Sequence, residues 1–376
     1  MMGYNFGVLQ NEDLMERGSS YLSDFLPNNV GPASYDLSCS DEIYAIDTLV
    51  LPKKGETVDR LLHALKAPAH DLSVPLAPGQ WYVCRLQEKI MFPDMIRGMC
   101  NPKSSTGRND IFARVMADGV DCYDEIPLGF TGCVWLVIQA QSYPCLLSRG
   151  ECLVQLRISH RDRIVLASPQ LLCIEDQRSS LLYGVNGEKI PLTNANVDEQ
   201  GGVIVTVDFS LPVSVLECRK ELQDPVDLTQ KESRHLENYF IKTPSLGSAC
   251  VILEPGKFYL LQTAERVHVP ITLACEMKPI QSKYGEFRVH YAGFIDPGWG
   301  GEGGRALVLE LRPFERILLR PGQPIGVLIY EQLHRASTAP YEAREGSHYA
   351  HTHEGYCPRP AKQFILPAQE IMEKSE

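Results

Sequence analysis

The chain has no basic run, no apolar stretch of membrane-spanning length and no paired-cysteine motif. Each absence removes a class of function. Its 36 Lys and Arg stand against 47 Asp and Glu, a formal charge of −11. A broad nucleic-acid-binding face needs clustered cations, so a polymer partner is not expected. A single nucleotide remains open, because a phosphate site needs only two or three local cations or backbone N–H groups. With no signal peptide and no membrane-length run, the expectation is a cytoplasmic protein with no membrane partner. None of the 12 cysteines forms a C-x-x-C pair, and no Cys/His set has zinc spacing, so no protein-held metal is expected. Cys122, Cys133, Cys145 and Cys152 lie among apolar residues, where a reduced thiol serves as a small hydrophobe.

What the chain does have is a repeat. Leu76-Ala-Pro-Gly-Gln-Trp-Tyr82 through Pro93 matches Leu253-Glu-Pro-Gly-Lys-Phe-Tyr259 through Pro270 without a gap, at an offset of 177 residues. Leu, Pro, Gly, Tyr, Glu and the closing Pro coincide. Ala33-Ser-Tyr-Asp36-Leu and Val205-Thr-Val-Asp208-Phe form a fainter echo. One offset near half of 376 residues means a duplicated domain rather than a solenoid. The expected division is an N-terminal domain over 1–170 and a C-terminal domain over 195–376, with a polar, turn-rich linker at about 171–194. Within each half, short β-branched and aromatic runs are bounded by Pro, Gly, Asn and Asp. Cys133–Ile138, Arg305–Leu311 and Pro324–Tyr330 are examples, and together they predict a mainly β, jelly-roll-like fold. Helices are few: Asn11 to Arg17, Asp59 to Lys66 and Ser233 to Phe240.

Three segments could carry chemistry. Lys103-Ser-Ser-Thr-Gly-Arg108 sets hydroxyl and N–H donors between two cations, as an anion site requires, although a polar surface turn explains it equally well. It is not a G-x-x-x-x-G-K phosphate loop. In Gly293-Phe-Ile-Asp296-Pro-Gly-Trp299 a tight turn carries a carboxylate and an indole at its lip. Either a plain structural turn or a sugar-binding acceptor fits. Glu310 sits in the apolar run Ala306-Leu-Val-Leu-Glu-Leu311. Burying it is costly unless it is paired, protonated or employed. Strand alternation puts it on one face with Val308, expected to point inward, with a solvent-facing edge as the alternative.

In order along the chain, Pro-Ala-Ser-Tyr-Asp-Leu, Pro-Gly-x-x-Tyr, Lys-Ser-Ser-x-Gly-Arg, Ile-Asp-Pro-Gly-Trp, Leu-Val-Leu-Glu and Arg320-Pro-Gly-Gln-Pro-Ile-Gly326 resemble dCTP deaminase of the dUTPase-like superfamily. The opening Gly7-Val-Leu-Gln-Asn-Glu-Asp-Leu14 is similar to its two-domain form. That resemblance implies tandem distorted jelly-roll (β-clip) domains, a homo-oligomer with sites shared across an interface, and hydrolytic deamination of dCTP to dUTP and ammonia. It further implies that Lys103, Ser104, Ser105 and Arg108 meet phosphate and the attacking water. Asp296 would hold the deoxyribose beside Trp299 and Val308, and Glu310 would carry the protons. In the family's tail pattern a Tyr, a Lys-Tyr and a Gln reach the nucleotide. Here Tyr341, His348 and Thr352 stand in those places, and His in place of Lys weakens the phosphate grip and makes it pH-sensitive.

The two halves have decayed in different places. Val137 occupies the position of Glu310 in the first half, and Val120-Asp-Cys-Tyr is read there in place of Ile-Asp-Pro-Gly. The second half keeps Glu310 but has only Lys278-Pro-Ile-Gln-Ser-Lys-Tyr-Gly-Glu286 for the serine segment. Two arrangements remain open: a composite site drawing on both halves, or a self-contained C-terminal site using Ser282 and Lys283. Zinc deaminases carry H-x-E followed by P-C-x-x-C, and His235-Leu-Glu237 has no such sequel, so the expected mechanism is zinc-independent. Glu310, shielded by Trp299, would shuttle the proton; Ser104 would hold water and Arg108 balance charge. No cofactor is expected, and any Mg2+ would arrive with the triphosphate. Competing readings are a dUTPase with Asp296 as base, a bifunctional deaminase-diphosphatase, and a non-catalytic nucleotide-binding regulator.

Overall fold

The computed structural model describes residues 6–167, 170–171, 180–193, 195–244, 250–281, 289–290, 293–343 and 357–366. The first half is a pair of four-stranded sheets. One runs in the order Tyr35–Leu37, Val154–His160, Ile96–Pro102, Glu125–Ile126; the other runs Cys39–Ile46, Trp81–Met91, Thr131–Ala140, Ile111–Ala117. The second half repeats the first of these as Val203–Thr206, Pro324–Gln332, Leu273–Pro279, Phe294–Ile295. Its other sheet is enlarged, with Tyr259–Val267 paired to Arg305–Leu311 at its centre. Val154–His160 is buried along its whole length although its sequence alternates apolar and polar residues, because the second half covers the face that carries Arg157.

Strand registers identify which residues correspond. In the first half Tyr82 pairs with Ile138 and Val83 with Val137; in the second, Tyr259 pairs with Leu311 and Leu260 with Glu310. Tyr82 and Tyr259 are 177 apart, so Val137 does occupy the place of Glu310. Even the irregularity is duplicated: the register breaks between Arg85 and Lys89, and again between Gln262 and Arg266. A bulge kept at one position in both copies is a feature of the ancestral unit rather than an accident of either. The fainter echo, however, is out of register. Leu37 reaches Val154 opposite Pro102, and Val205 reaches Gly326 opposite Pro279, so Asp36 answers Ile204 and not Asp208.

The helices are short. Asn11–Tyr21 extends beyond the predicted Arg17, and Val58–Leu65 is capped by Thr57, whose hydroxyl accepts from the Arg60 N–H at 3.4 Å. Only Leu236–Tyr239 is helical in the third predicted segment. A further turn of helix, Ser104–Arg108, forms where sequence reading gave a polar turn. No helix among the described residues is long and apolar enough to cross a membrane.

Two large cores hold the molecule, and the first draws on both halves. Val213, Leu216, Tyr239, Phe240, Leu260 and Phe364 pack with Tyr35, Leu136 and Leu156. Leu182, Val205, Tyr259, Leu309 and Tyr330 belong to the second. The chain leaves the first half's sheet at His160 and enters the second core at Leu166; Leu182–Tyr183, inside the expected linker, pairs with Val267 and Arg266.

Between the halves runs a buried polar seam. Arg157, 2% exposed, lies over the Phe294 ring at 3.8 Å, donates to the Cys275 carbonyl at 3.2 Å and stands 3.6 Å from Glu331. Arg163 also pairs with Glu331, and Asn101 donates to Glu276 at 3.4 Å. Removing one partner from such a seam leaves desolvated charge behind. We therefore expect Arg157→Ala to lower unfolding free energy by roughly 3 kcal/mol, read from the denaturant midpoint at unchanged slope.

Candidate active site at the junction of the halves

The buried carboxyl comes from the second half. On Arg305–Leu311 the side chains alternate: Leu307, Leu309 and Leu311 enter the second core, whereas Val308 packs against the first. Glu310 shares the Val308 face by strand periodicity, so it points at the junction, only 2% exposed. Burial raises its pKa from 4.5 to about 8, and the Arg108 guanidinium opposes that rise without cancelling it. Arg108 Nε lies 3.6 Å from Glu310 Oε1, with both side chains almost wholly buried. The one group is brought in by the first half, the other by the second.

Arg108 is aimed by the short helix Ser104–Arg108, which starts as the strand Ile96–Pro102 ends. Thr106 anchors it, donating its hydroxyl to the Leu153 carbonyl at 2.7 Å. Asn109 closes it: its side-chain N–H donates to the Ser105 carbonyl and to Gln363, both at 2.9 Å, while Tyr143 donates to its amide oxygen at 3.1 Å. The C-terminal segment thus braces the helix from outside, and Arg108 itself donates to the Arg359 carbonyl at 3.1 Å.

The serine turn and the aspartate turn also meet. A Cβ placed on Gly293 would lie 3.4 Å from Ser104 Oγ and 3.5 Å from the Pro102 carbonyl, so the segment leading to Asp296 passes directly over Ser104. Asp296 acts electrostatically on the buried Arg157 of the first half. Lys103 forms an ion pair with Asp36; burial works against its charge, and Asp36 more than compensates, leaving its pKa raised. Ser105 contributes its carbonyl to the Asn109 closure.

Trp299 is not where the sequence placed it. It belongs to the second core, its ring 4.9 Å from Tyr341 and 5.7 Å from the Arg305 guanidinium. Arg305 opens the strand, five residues before Glu310. Glu310 owes its burial to the packing of the two halves, not to the indole. Tyr341, whose N–H donates to the Pro297 carbonyl at 2.8 Å, goes with Trp299 on the turn. The N-terminal counterpart of that turn also needs correction. Gly98 pairs with Ile126 as Cys275 pairs with Ile295, so Asp296 corresponds to Pro127 rather than to any residue of Val120-Asp-Cys-Tyr. Proline has no side-chain acceptor, so the first half lacks both carboxyls. Ser282, Lys283, His348 and Thr352 lie outside the described residues.

Sequence reading passed over Arg157, Asp110 and Arg312. The signal that singles out Glu310, a charge in an apolar run, is absent for Arg157: in Val154-Gln-Leu-Arg-Ile-Ser-His160 it falls on the polar positions of an alternating strand, where a solvent-facing residue would also stand.

The crystal structure of 2'-deoxycytidine 5'-triphosphate deaminase from Agrobacterium tumefaciens matches 90% of this chain and 97% of its own, with a TM-score of 0.80 at 31% identity. Fold and site together define a duplicated dUTPase-like β protein with a protonatable carboxyl buried where its halves meet. Residues 6–162 match the family described as 2'-deoxycytidine 5'-triphosphate deaminase, N-terminal domain, and residues 180–354 match its C-terminal domain. The chain belongs to the dCTP deaminase family. Among curated relatives, a dCTP deaminase of Natronomonas pharaonis is 32% identical over 149 residues, 38% of this chain and 73% of that one. The dUMP-forming dCTP deaminase of Bifidobacterium animalis subsp. lactis is 37% identical over 103 residues, 26% of this chain. The match spans 51% of that relative's length, and 50% of the dUMP-forming enzyme of Halobacterium salinarum.

Proposed function

We propose that the chain hydrolyses dCTP to dUTP and ammonia in the cytoplasm, as a homo-oligomer, at a site assembled from its two halves. One observation carries this reading: Glu310 and Arg108, each supplied by a different half, face one another at 3.6 Å in a buried junction. Family membership supports the substrate and the oligomer.

A carboxyl with a pKa of about 8 is about nine-tenths protonated at pH 7. Glu310 therefore begins as an acid. It gives its proton to N3 of the cytosine, which makes C4 electrophilic. As carboxylate it then takes a proton from the water attacking C4. That proton goes to the exocyclic nitrogen, the C4–N bond breaks, ammonia leaves, and the new C4 hydroxyl returns its proton to Glu310 to give the carbonyl. Arg108 stabilises the carboxylate each time it forms, without needing to move. Ser104, beneath the Gly293 segment, holds the water, and Asp296 accepts from the sugar hydroxyl.

The direction of the pH dependence follows. Because the folded pKa is raised, the working acid form persists at neutral pH and is lost as pH rises through about 8. We expect kcat/KM for dCTP, which reports the free enzyme, to hold near pH 7 and then fall about tenfold per pH unit above 8. A profile flat from pH 7 to pH 9 removes Glu310 as the acid.

The function itself is tested by incubating purified chain with dCTP, dCMP and dUTP while measuring ammonia and pyrophosphate. Ammonia equal to the dUTP formed from dCTP is expected. Pyrophosphate appearing with the ammonia would make dUMP the product, as in the dUMP-forming relatives. Pyrophosphate from dUTP with no ammonia from dCTP, or binding without turnover, overturns the proposal.

A further inference from the structure

A second carboxyl–guanidinium pair joins the same two segments. Two residues beyond Arg108, Asp110 is fully buried; two residues beyond Glu310, Arg312 reaches across and pairs with it. Arg312 also donates to Ser142 Oγ at 3.0 Å and to the Gly256 carbonyl, and Ser142 in turn donates to Asp110. Asp110 has φ +53°, a left-handed conformation that Asp and Asn tolerate far better than other non-glycine residues, so this position is shaped to present that side chain.

The two pairs run in step with opposite polarity. On the first half's segment the order is cation then anion, Arg108 then Asp110. On the second half's it is carboxyl then cation, Glu310 then Arg312. A slip of two residues in one direction would set Arg108 against Arg312, and in the other Asp110 against Glu310. The first slip opposes two cations in a desolvated seam, and the second leaves the buried Asp110 carboxylate facing the Glu310 carboxyl with no cation beside it. Only the observed register satisfies both pairs.

We propose that Asp110 and Arg312 are positioning residues that lock the register of the two halves and so hold Arg108 at its working distance from Glu310. This rests on the reading of Glu310 as the proton carrier. Burial raises the pKa of Asp110 to about 6, with Arg312 and Ser142 opposing the rise, so the group facing Arg312 at neutral pH is a carboxylate.

Asp110→Asn is the sharpest variant, since asparagine keeps the shape, the left-handed backbone and a partner for Ser142 while removing the charge. Together with Arg312→Gln, the double variant and Arg312→Lys, it is assayed for ammonia release from dCTP, with kcat expressed per folded chain. Asp110→Asn and Arg312→Gln should each lose about 10- to 100-fold in kcat, with KM for dCTP little changed. The double variant should be no worse than the poorer single one, and Arg312→Lys should recover most of the loss. A merely structural pair would lower Tm and leave kcat per folded chain within about twofold of wild type; that result overturns the proposal. Glu310→Gln is run beside them: if it turns over normally, the Glu310 reading fails on its own account, whatever the clasp variants do.

Discussion

Glu310→Gln should fold, bind dCTP and release ammonia roughly 10³- to 10⁴-fold more slowly than wild type. The amide has the volume of the carboxylic acid and, like the form that predominates at pH 7, carries no charge, so the seam loses little by the exchange. What it cannot do is part with a proton and take one back. The loss should fall on kcat, with the nucleotide dissociation constant nearly unchanged, measured by steady-state ammonia release and a binding isotherm on the same preparation. A variant retaining a tenth or more of wild-type kcat places the proton transfers on another group.

Arg108→Ala should cost at least about 10²-fold in kcat/KM, for a different reason. It removes the guanidinium that opposes the rise in the Glu310 pKa, so the carboxyl should become a still weaker acid than it is beside Arg108. It also leaves the half-buried Arg359 carbonyl without this donor. Arg108→Lys should not restore activity, because a single ammonium on a flexible stem cannot serve both the carboxyl and that carbonyl as a planar guanidinium does. Kinetics compared with thermal unfolding decide the matter. Unimpaired turnover at lowered Tm would make Arg108 a structural residue.

Sequence alone was informative where the signal was local and repeated. The Pro-Gly-x-x-Tyr turn and its following strand recur without a gap, and the structure pairs Tyr82 and Tyr259 equivalently, down to a shared bulge. That alignment was enough to locate Val137 opposite Glu310. It failed where the intervening lengths differ between halves. No constant offset could show that Asp296 answers Pro127 or that Asp36 answers Ile204; hydrogen-bond register shows both. Trp299 was misplaced for a related reason. Proximity in sequence to a strand says nothing about which end of it, or which of its faces, a side chain meets. Above all, the pairing of Arg108 with Glu310 spans 202 residues. The apolar run around Glu310 points to a buried charge there, but nothing in the polar segment around Arg108 reports its burial, still less that the two are buried together. The Asp110–Arg312 pair was hidden twice over, since neither residue belongs to a recognisable motif.

Co-expression of Arg108→Ala and Glu310→Gln chains tests the central claim most directly, with ammonia release from dCTP as the readout. If each site is built by the two halves of a single chain, every chain in the mixture lacks one essential group, and the mixed protein stays as inactive as either variant alone. Recovery of turnover in the mixture would show the pair being completed between chains, and turnover by Arg108→Ala alone would show that the second half needs nothing from the first.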